Sequence, residues 1–394
     1  MKYSLLLCVI TMSFCFASPA KSNDKKQIRL AVFNVSMEAS NYVERGQEPQ
    51  GNELSKHLQS GLHSQIKNIA EIIQRIRPDI ILLNEFDYSA NAPQDIAWFI
   101  ENYLNQAHAG LDSIDYPYAY SAPVNTGVDS GLDLDRDGFA SGVRQDAFGF
   151  GLYPGHYGMA ILSKYPIKTQ DVRTFQYFLW KDMPDNLLND VINEDGSHYY
   201  SEEARDILRL SSKSHWDVPI QIGDKTIHLL ASHPTPPSFD GFEDRNGKRN
   251  HDEIRFWVDY ITGSTKASYI TDDQGKRGGF AGEHFIVAGD LNSSPKEGSS
   301  IKRGIIDLLN HPLVNDSKAP TSEGGKQHSP DNPYSASHTA AWRSRVDYVL
   351  PSTGLNVYDS GVFWPKREEP LFRLVEDRKS SSDHRLVWID LMLD

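Results

Sequence analysis

The stretch HFIVAGDLNSSP, residues 284–295, decides how the chain is read. Phe285 to Ala288 are apolar, Gly289 follows, and Asp290 and Asn292 stand two apart before Ser-Ser-Pro. An apolar run that ends this way is a buried strand that leaves the core and turns at once. Asp and Asn in that place either build the turn through bonds to their own backbone, or they handle a metal, a water or a phosphate. What the rest of the chain sets beside them decides between the two.

The same arrangement recurs in both directions from this stretch. IRLAVFNVS (28–36) reads as a strand ending at Asn34, and DIILLNEFD (79–87) as a buried strand ending in Glu85. Between them SQIKNIAEIIQRIR (64–77) has Ile66, Ile69, Ile73 and Ile76 on one helical face, Ser64 at its start and Pro78 at its end. YGMAILSKYPI (157–167) is a further strand, and KTIHLLASHP (225–234) is one that ends at His233. HDEIRFWVDYITG (251–263) has helical spacing, and a short helix is expected near 201–210. Asp347 lies inside the strand-like RVDYVLPS (345–352), and Asp383 and His384 open SSDHRLVWIDLML (381–393). A single carboxylate at a strand end is usually just solvated. Six chemistry-bearing strand ends in one chain are not explained that way.

Taken in order, FNVS, LLNEFD, GMAILSKYPI, ASHPTPP, AGDLNSSP, SRVDYVL and SSDHRLVWIDL resemble the motifs of the endonuclease/exonuclease/phosphatase superfamily, the group of DNase I, exonuclease III, sphingomyelinases and inositol phosphatases. The resemblance runs from residue 28 to 393. It implies a four-layer α/β sandwich, two mixed and largely antiparallel sheets flanked by helices, and a divalent-metal-dependent phosphoesterase. By the same resemblance Asn34, Glu85 and Asp383 are metal-site residues, and Asp290 orients or deprotonates the attacking water. Asn292 holds the phosphate or the nucleophile. His384 contacts the phosphate or acts as acid/base, with Asp347 or Asp383 as its orienting carboxylate. His233 is the candidate general acid beside the leaving group. These residue types suit the chemistry: phosphate-ester hydrolysis needs an aimed water and neutralisation of developing charge, and hard cations such as Mg²⁺ or Mn²⁺ take oxygen ligands.

The chain also departs from the well-known members. Val-Ser-Met-Glu follows Asn34, which makes Glu38 a substitute candidate for the site, or a solvated loop residue. PTPPSFDGFEDRNGKRNHDE follows His233. Within it Arg245, Asn246, Arg249 and His251 are candidate substrate-binding residues, arginine being suited to bidentate phosphate recognition; a solvated loop leading into the 251–263 helix is the rival reading. Lys366, Arg367, Arg373, Arg378 and Lys379 cluster ahead of Asp383, where they would attract an anion. In DSGLDLDRDGFASG, Asp133, Asp135 and Asp137 alternate before Gly138, the first half of an oxygen-cage Ca²⁺ loop. Arg144 stands where an EF-hand would close with Glu, and a solvated acidic loop accounts for the pattern equally well.

MKYSLLLCVITMSFCFASPA (1–20) has a Lys, a short apolar run and small residues, the layout of a secretory signal peptide. The run is too short to span a membrane, and no later run is long enough. Both cysteines of the chain, Cys8 and Cys15, lie in this leader, so the mature protein would have no disulfide and no thiolate site. Residues 21–394 then form a single domain with insertions near 88–155, 175–215 and 236–283. The expected protein is a monomer, secreted or periplasmic. A formal charge of −13 works against polyanion binding. The expected substrate is therefore a phosphorylated small molecule or a lipid-derived phosphoester, with a non-specific secreted nuclease as the alternative.

Overall fold

The computed structural model describes residues 26–44 and 46–393. The proposed leader lies outside the described residues. Among the described residues eleven strands form two sheets. The first contains β1 (Lys26–Met37), β2 (Ile80–Phe86), β3 (Tyr118–Tyr120), β4 (Met159–Ser163), β10 (Asn356–Val362) and β11 (Val387–Leu393), in the order β10-β11-β1-β2-β4-β3. The second contains β5 (Arg173–Thr174), β6 (His215–Ile222), β7 (Lys225–Ser232), β8 (His284–Asp290) and β9 (Asp347–Pro351), in chain order. Each sheet has one parallel pair, β1 with β2 and β7 with β8; the remaining pairs are antiparallel.

Strand alternation builds the layers. On β8, Ile286 and Ala288 join the core between the sheets, while Phe285 and Val287 pack with the other face's helices. On β9, Val349 faces inward and Tyr348 and Leu350 outward. Period-two burial on both faces is what a strand covered on two sides requires. The outer layer of the first sheet is α1 (Glu53–Ser60), α2 (Ser64–Ile76) and α3 (Ala92–Phe99), with Ile66, Ile69 and Ile73 of α2 buried. A short α4 (Glu202–Ile207) starts at Ser201, whose hydroxyl accepts from Ala204 N. The outer layer of the second sheet is α5 (Arg245–Thr262) and α6 (Lys302–Leu309), with Ile254, Trp257 and Ile261 of α5 buried. The result is the four-layer α/β sandwich. Among the described residues no helix is long and apolar enough to cross a membrane.

Three differences from the sequence reading have local causes. The helix expected over 251–263 begins at Arg245, so residues 245–250 are helical and not a loop. Its first turns, Arg-Asn-Gly-Lys-Arg-Asn, carry no apolar residue and so show no period. Helix α3 and the turn Ile100–Leu104 lie inside the loop-rich 88–155 segment and bury Ile96, Phe99, Tyr103 and Leu104 in the first core. Ser64 is the first helical residue of α2, and its side chain makes no cap bond; the cap position is His63.

Candidate active site

The site forms where the parallel strands end. β1 delivers Asn34, β2 Glu85, β7 His233 and β8 Asp290, all toward one edge of the sandwich. The antiparallel neighbour β9 begins there with Asp347, which pairs in register with Asp290. Gly289 allows the close approach that the motif needs. Its φ is +151°, and a Cβ on it would lie 1.9 Å from Ser232 O, so no larger residue fits between β7 and β8.

Asp290 is the hub of the site. One carboxylate oxygen accepts from Asn34 Nδ2 at 3.1 Å and lies 3.4 Å from His233 Nε2 and 3.5 Å from His384 Nε2. The other accepts the Asn292 backbone N–H at 3.0 Å. Its backbone N–H donates to Asn84 Oδ1 across the gap between the sheets. Asp347 lies 2.9 Å from His384 Nδ1, and its backbone N–H donates to Thr339 Oγ1. The carboxylate on His384 is therefore Asp347; Asp383 instead accepts from the Ser36 hydroxyl. All of Asn34, His233, Asp290, Asp347 and His384 are buried.

The electrostatics follow from burial and these neighbours. Burial alone would raise the Asp290 carboxyl, but His384 and His233 hold it well below the usual carboxylate range. Burial would discharge His384, yet Asp347 and Asp290 push it up. Burial pushes Asp347 up, with the adjacent Asp290 adding to the rise. His233 moves the other way: burial lowers it, and the Lys213 ammonium lowers it further against the pull of Asp290.

On the other flank, Glu38, Glu85 and Asp383 face a common space. The Arg378 guanidinium lies 3.6 Å from Glu38 Oε1, 3.6 Å from Glu85 Oε2 and 3.9 Å from Asp383 Oδ2. Glu85 Oε2 is buried and has no hydrogen-bond partner. Glu38 is buried and fixed from behind by His156 Nε2 at 2.9 Å and Ser40 N at 2.7 Å. Oxygen donors with an unsatisfied buried atom among them fit a hard divalent cation such as Mg²⁺ or Mn²⁺. Glu85 and Asn292 have φ of +55° and +52°, and Ser36 beside Asn34 has +47°. Left-handed non-glycine backbone at three such places is strain held by the surrounding structure at the site.

Several contributors were not among the residues singled out in the sequence. Helix α5 pins the loops that carry the site: Asn250 Nδ2 donates to Thr235 O and Leu291 O, and Glu253 accepts from Ser212 N and Thr235 N. Asn84 ties β2 to β8. Lys213 is buried beside His233 and within electrostatic reach of Glu253, Glu85 and Asp290; the basic residue in SSKSHWDV just before a strand was its signal. Trp342, half exposed, sets its ring edge-on to His384 at 4.7 Å.

The other expected residues have partners of their own. Arg249 is half-buried and donates to Leu210 O, Phe148 O and Arg209 O. Arg245 pairs with Glu243, Asn246 Nδ2 donates to Ser238 O, and His251 pairs with Asp252. None of the four shares a hydrogen bond with the Asp290 cluster. Asp133, Asp135 and Asp137 come together in their own loop, where backbone N–H groups of Asp137, Gly138 and Phe139 donate to them.

Comparison with known proteins adds the following. A family model described as Endonuclease/Exonuclease/phosphatase family matches residues 31–384. No curated protein matches the chain. Similar solved structures include an endonuclease/exonuclease/phosphatase from Beutenbergia cavernae at 15% identity, covering 93% of this chain and 72% of that one with a TM-score of 0.49. Beta toxin from Staphylococcus aureus, a mutant with bound magnesium ions, is 15% identical over 92% of this chain and 99% of its own, with a TM-score of 0.44. Sphingomyelinase C from Streptomyces griseocarneus is 14% identical over 93% and 99%, with a TM-score of 0.43.

Proposed function

Because this chain belongs to the endonuclease/exonuclease/phosphatase family, we propose that it is an exported, divalent-metal-dependent phosphoesterase acting on phosphomono- or phosphodiesters of small or lipid-derived substrates. The observation that carries the reading is the Asp290 hub, a low-pKa carboxylate aimed by Asn34, His233 and His384. An ionised, fixed carboxylate orients a water for in-line attack and accepts its proton. His384, kept charged by Asp347, places a cation at the phosphoryl oxygens, where negative charge grows. Asn292 offers its amide on the same side; at present its Nδ2 donates to Pro234 O. His233, 3.4 Å from Asp290, would protonate the leaving oxygen.

Glu85, Asp383 and Asn34, with Glu38 behind them, would hold the divalent ion. When bound, such an ion neutralises phosphoryl charge and lowers the pKa of water. The lipid-derived branch of the reading is supported by the loop after His233, where Phe239 is 88% and Phe242 69% exposed. Exposed aromatics beside a catalytic cleft suit an apolar substrate tail or a lipid surface. Export is supported by the leader-like first twenty residues.

A substrate panel on the chain from residue 21 tests this. It contains p-nitrophenyl phosphate, bis-p-nitrophenyl phosphate, sphingomyelin and supercoiled plasmid, each with Mg²⁺, Mn²⁺, Ca²⁺ or EDTA, beside Asp290→Ala. The expected result is metal-dependent cleavage of an ester or of sphingomyelin that the variant loses, with the plasmid intact. Plasmid nicking far faster than ester cleavage would replace this reading with a nuclease.

A further inference from the structure

Arg378 holds a position that the catalytic scheme does not use. Its guanidinium faces three carboxylates, Glu38, Glu85 and Asp383, at 3.6, 3.6 and 3.9 Å. No hydrogen bond ties it to any of them. Other arginines of the chain are locked: Arg29 grips both oxygens of Asp390 at 2.7 Å, and Arg345 grips Asp316 at 2.6 and 3.0 Å. Arg378 is 45% exposed, so one side of the guanidinium is open to solvent. Its backbone, by contrast, is anchored. Asp377 accepts from Ser380 N and Oγ, Ser381 Oγ donates to Leu374 O, and Arg385 donates to Val375 O. A long side chain on a fixed loop can turn without refolding anything.

The charges require such a turn. Three carboxylates around one space repel each other, and the guanidinium relieves this. A divalent ion bound through the same oxygens would leave the guanidinium no room and repel it. Arginine's fork matches two phosphate oxygens, and the substrate phosphate arrives beside the ion. We propose that Arg378 is a two-position residue that neutralises the Glu38–Glu85–Asp383 carboxylates until the divalent ion takes them and then grips the substrate phosphate. This rests on the phosphoesterase reading above and adds a residue to it.

The test reads binding and not turnover. Mn²⁺ affinity and, on the Mn²⁺-loaded protein, inorganic phosphate affinity are measured by calorimetry for the wild type, Arg378→Gln, Arg378→Lys, Lys266→Gln and Glu85→Gln. Arg378→Gln should bind Mn²⁺ at least fivefold more tightly and phosphate at least tenfold more weakly. Arg378→Lys, which keeps the charge but not the fork, should match the wild type for Mn²⁺ and still lose phosphate affinity. Lys266→Gln, at an exposed lysine outside the site, should change neither, which separates local occupancy from general surface charge. Without metal, Arg378→Gln should melt lower than the wild type and recover when Mn²⁺ is added. Unchanged or weaker Mn²⁺ binding in Arg378→Gln, or unchanged phosphate binding, overturns the inference alone provided that Glu85→Gln loses Mn²⁺. If the wild type binds no Mn²⁺, or Glu85→Gln binds it as well as the wild type, the metal site itself is wrong and the inference falls with it.

Discussion

The two halves of the site differ in how completely their polar atoms are used. Around Asp290 both carboxylate oxygens have partners, His384 sits between Asp290 and Asp347, and Asn34, His233, Asp290, Asp347 and His384 are buried, with His233 Nδ1 left without a partner. Around Glu85 the carboxylates face Arg378 across 3.6 to 3.9 Å, and Glu85 Oε2 has no hydrogen bond. Carboxylates whose oxygens are all partnered keep their geometry during reaction, which is what preorganised charge requires. A buried oxygen left without a partner marks a place where a ligand completes the structure. On the proposed reading one half acts and the other receives the ion.

The strongest way to break this contrast is Asp290→Asn, which keeps the shape and removes the charge. Turnover of the best ester in the panel should fall about 10³-fold or more, while Mn²⁺ affinity measured by calorimetry stays within a few-fold of the wild type. Loss of Mn²⁺ binding in this variant would mean that the halves are one site. Glu85→Gln is the converse. Mn²⁺ affinity should fall about 10- to 100-fold, and the turnover lost should return at high Mn²⁺; turnover that stays lost at saturating metal would place Glu85 in the acting half. Asp347→Asn touches the acting half one step away from the reaction. His384 loses the carboxylate on Nδ1, and kcat should fall about 10- to 100-fold at unchanged Mn²⁺ affinity. An unchanged kcat would make the Asp347–His384 pair purely structural.

The sequence made these strand ends legible because each chemistry-bearing residue closes an apolar run, and burial on both faces leaves few other places for such residues. It also made the layers legible, since Ile and Val runs of four to seven residues admit little besides a covered strand. What it hid were residues whose role depends on distance in space. Asn84 looks like any strand residue until Asp290 N, 206 positions away, is set against its amide. Asn250 and Glu253 sit in a charged helix, and only the fold shows that three loops hang on them. The same local view favoured Arg249 for a phosphate, since a charged segment after His233 reads as a rim. The fold ties that guanidinium to three carbonyls, where it joins α5 to the 209–210 loop. Asp347 and Asp383 were equal candidates to orient His384 because both are near it in motif order; strand pairing of Asp290 with Asp347 separates them.

The smallest expected effect sharpens the contrast from outside the site, through a histidine as buried as His384 but with different company. His215 opens β6; it donates from Nε2 to Glu253 O, and its Nδ1 is paired with the Ser211 hydroxyl. Both ring nitrogens are satisfied in the neutral form. Burial pushes its pKa down to about 4, with Glu253 opposing only in part. His384 is pushed up because carboxylates face it, so its contribution to stability is present at low pH and lost as pH rises through its folded value. For His215 the sign is reversed. Between about 4 and its ordinary 6.5 the unfolded chain binds the proton and the folded one does not, so stability falls as pH falls through that window. A shift of this size corresponds to about 3 kcal/mol at most. Urea unfolding at several pH values from 4 to 7 should show that loss in the wild type, and His215→Asn, less stable throughout, should show a flatter slope across the window. An equal slope in the variant would assign the acid sensitivity to other groups and remove His215 as the counterpart to His384.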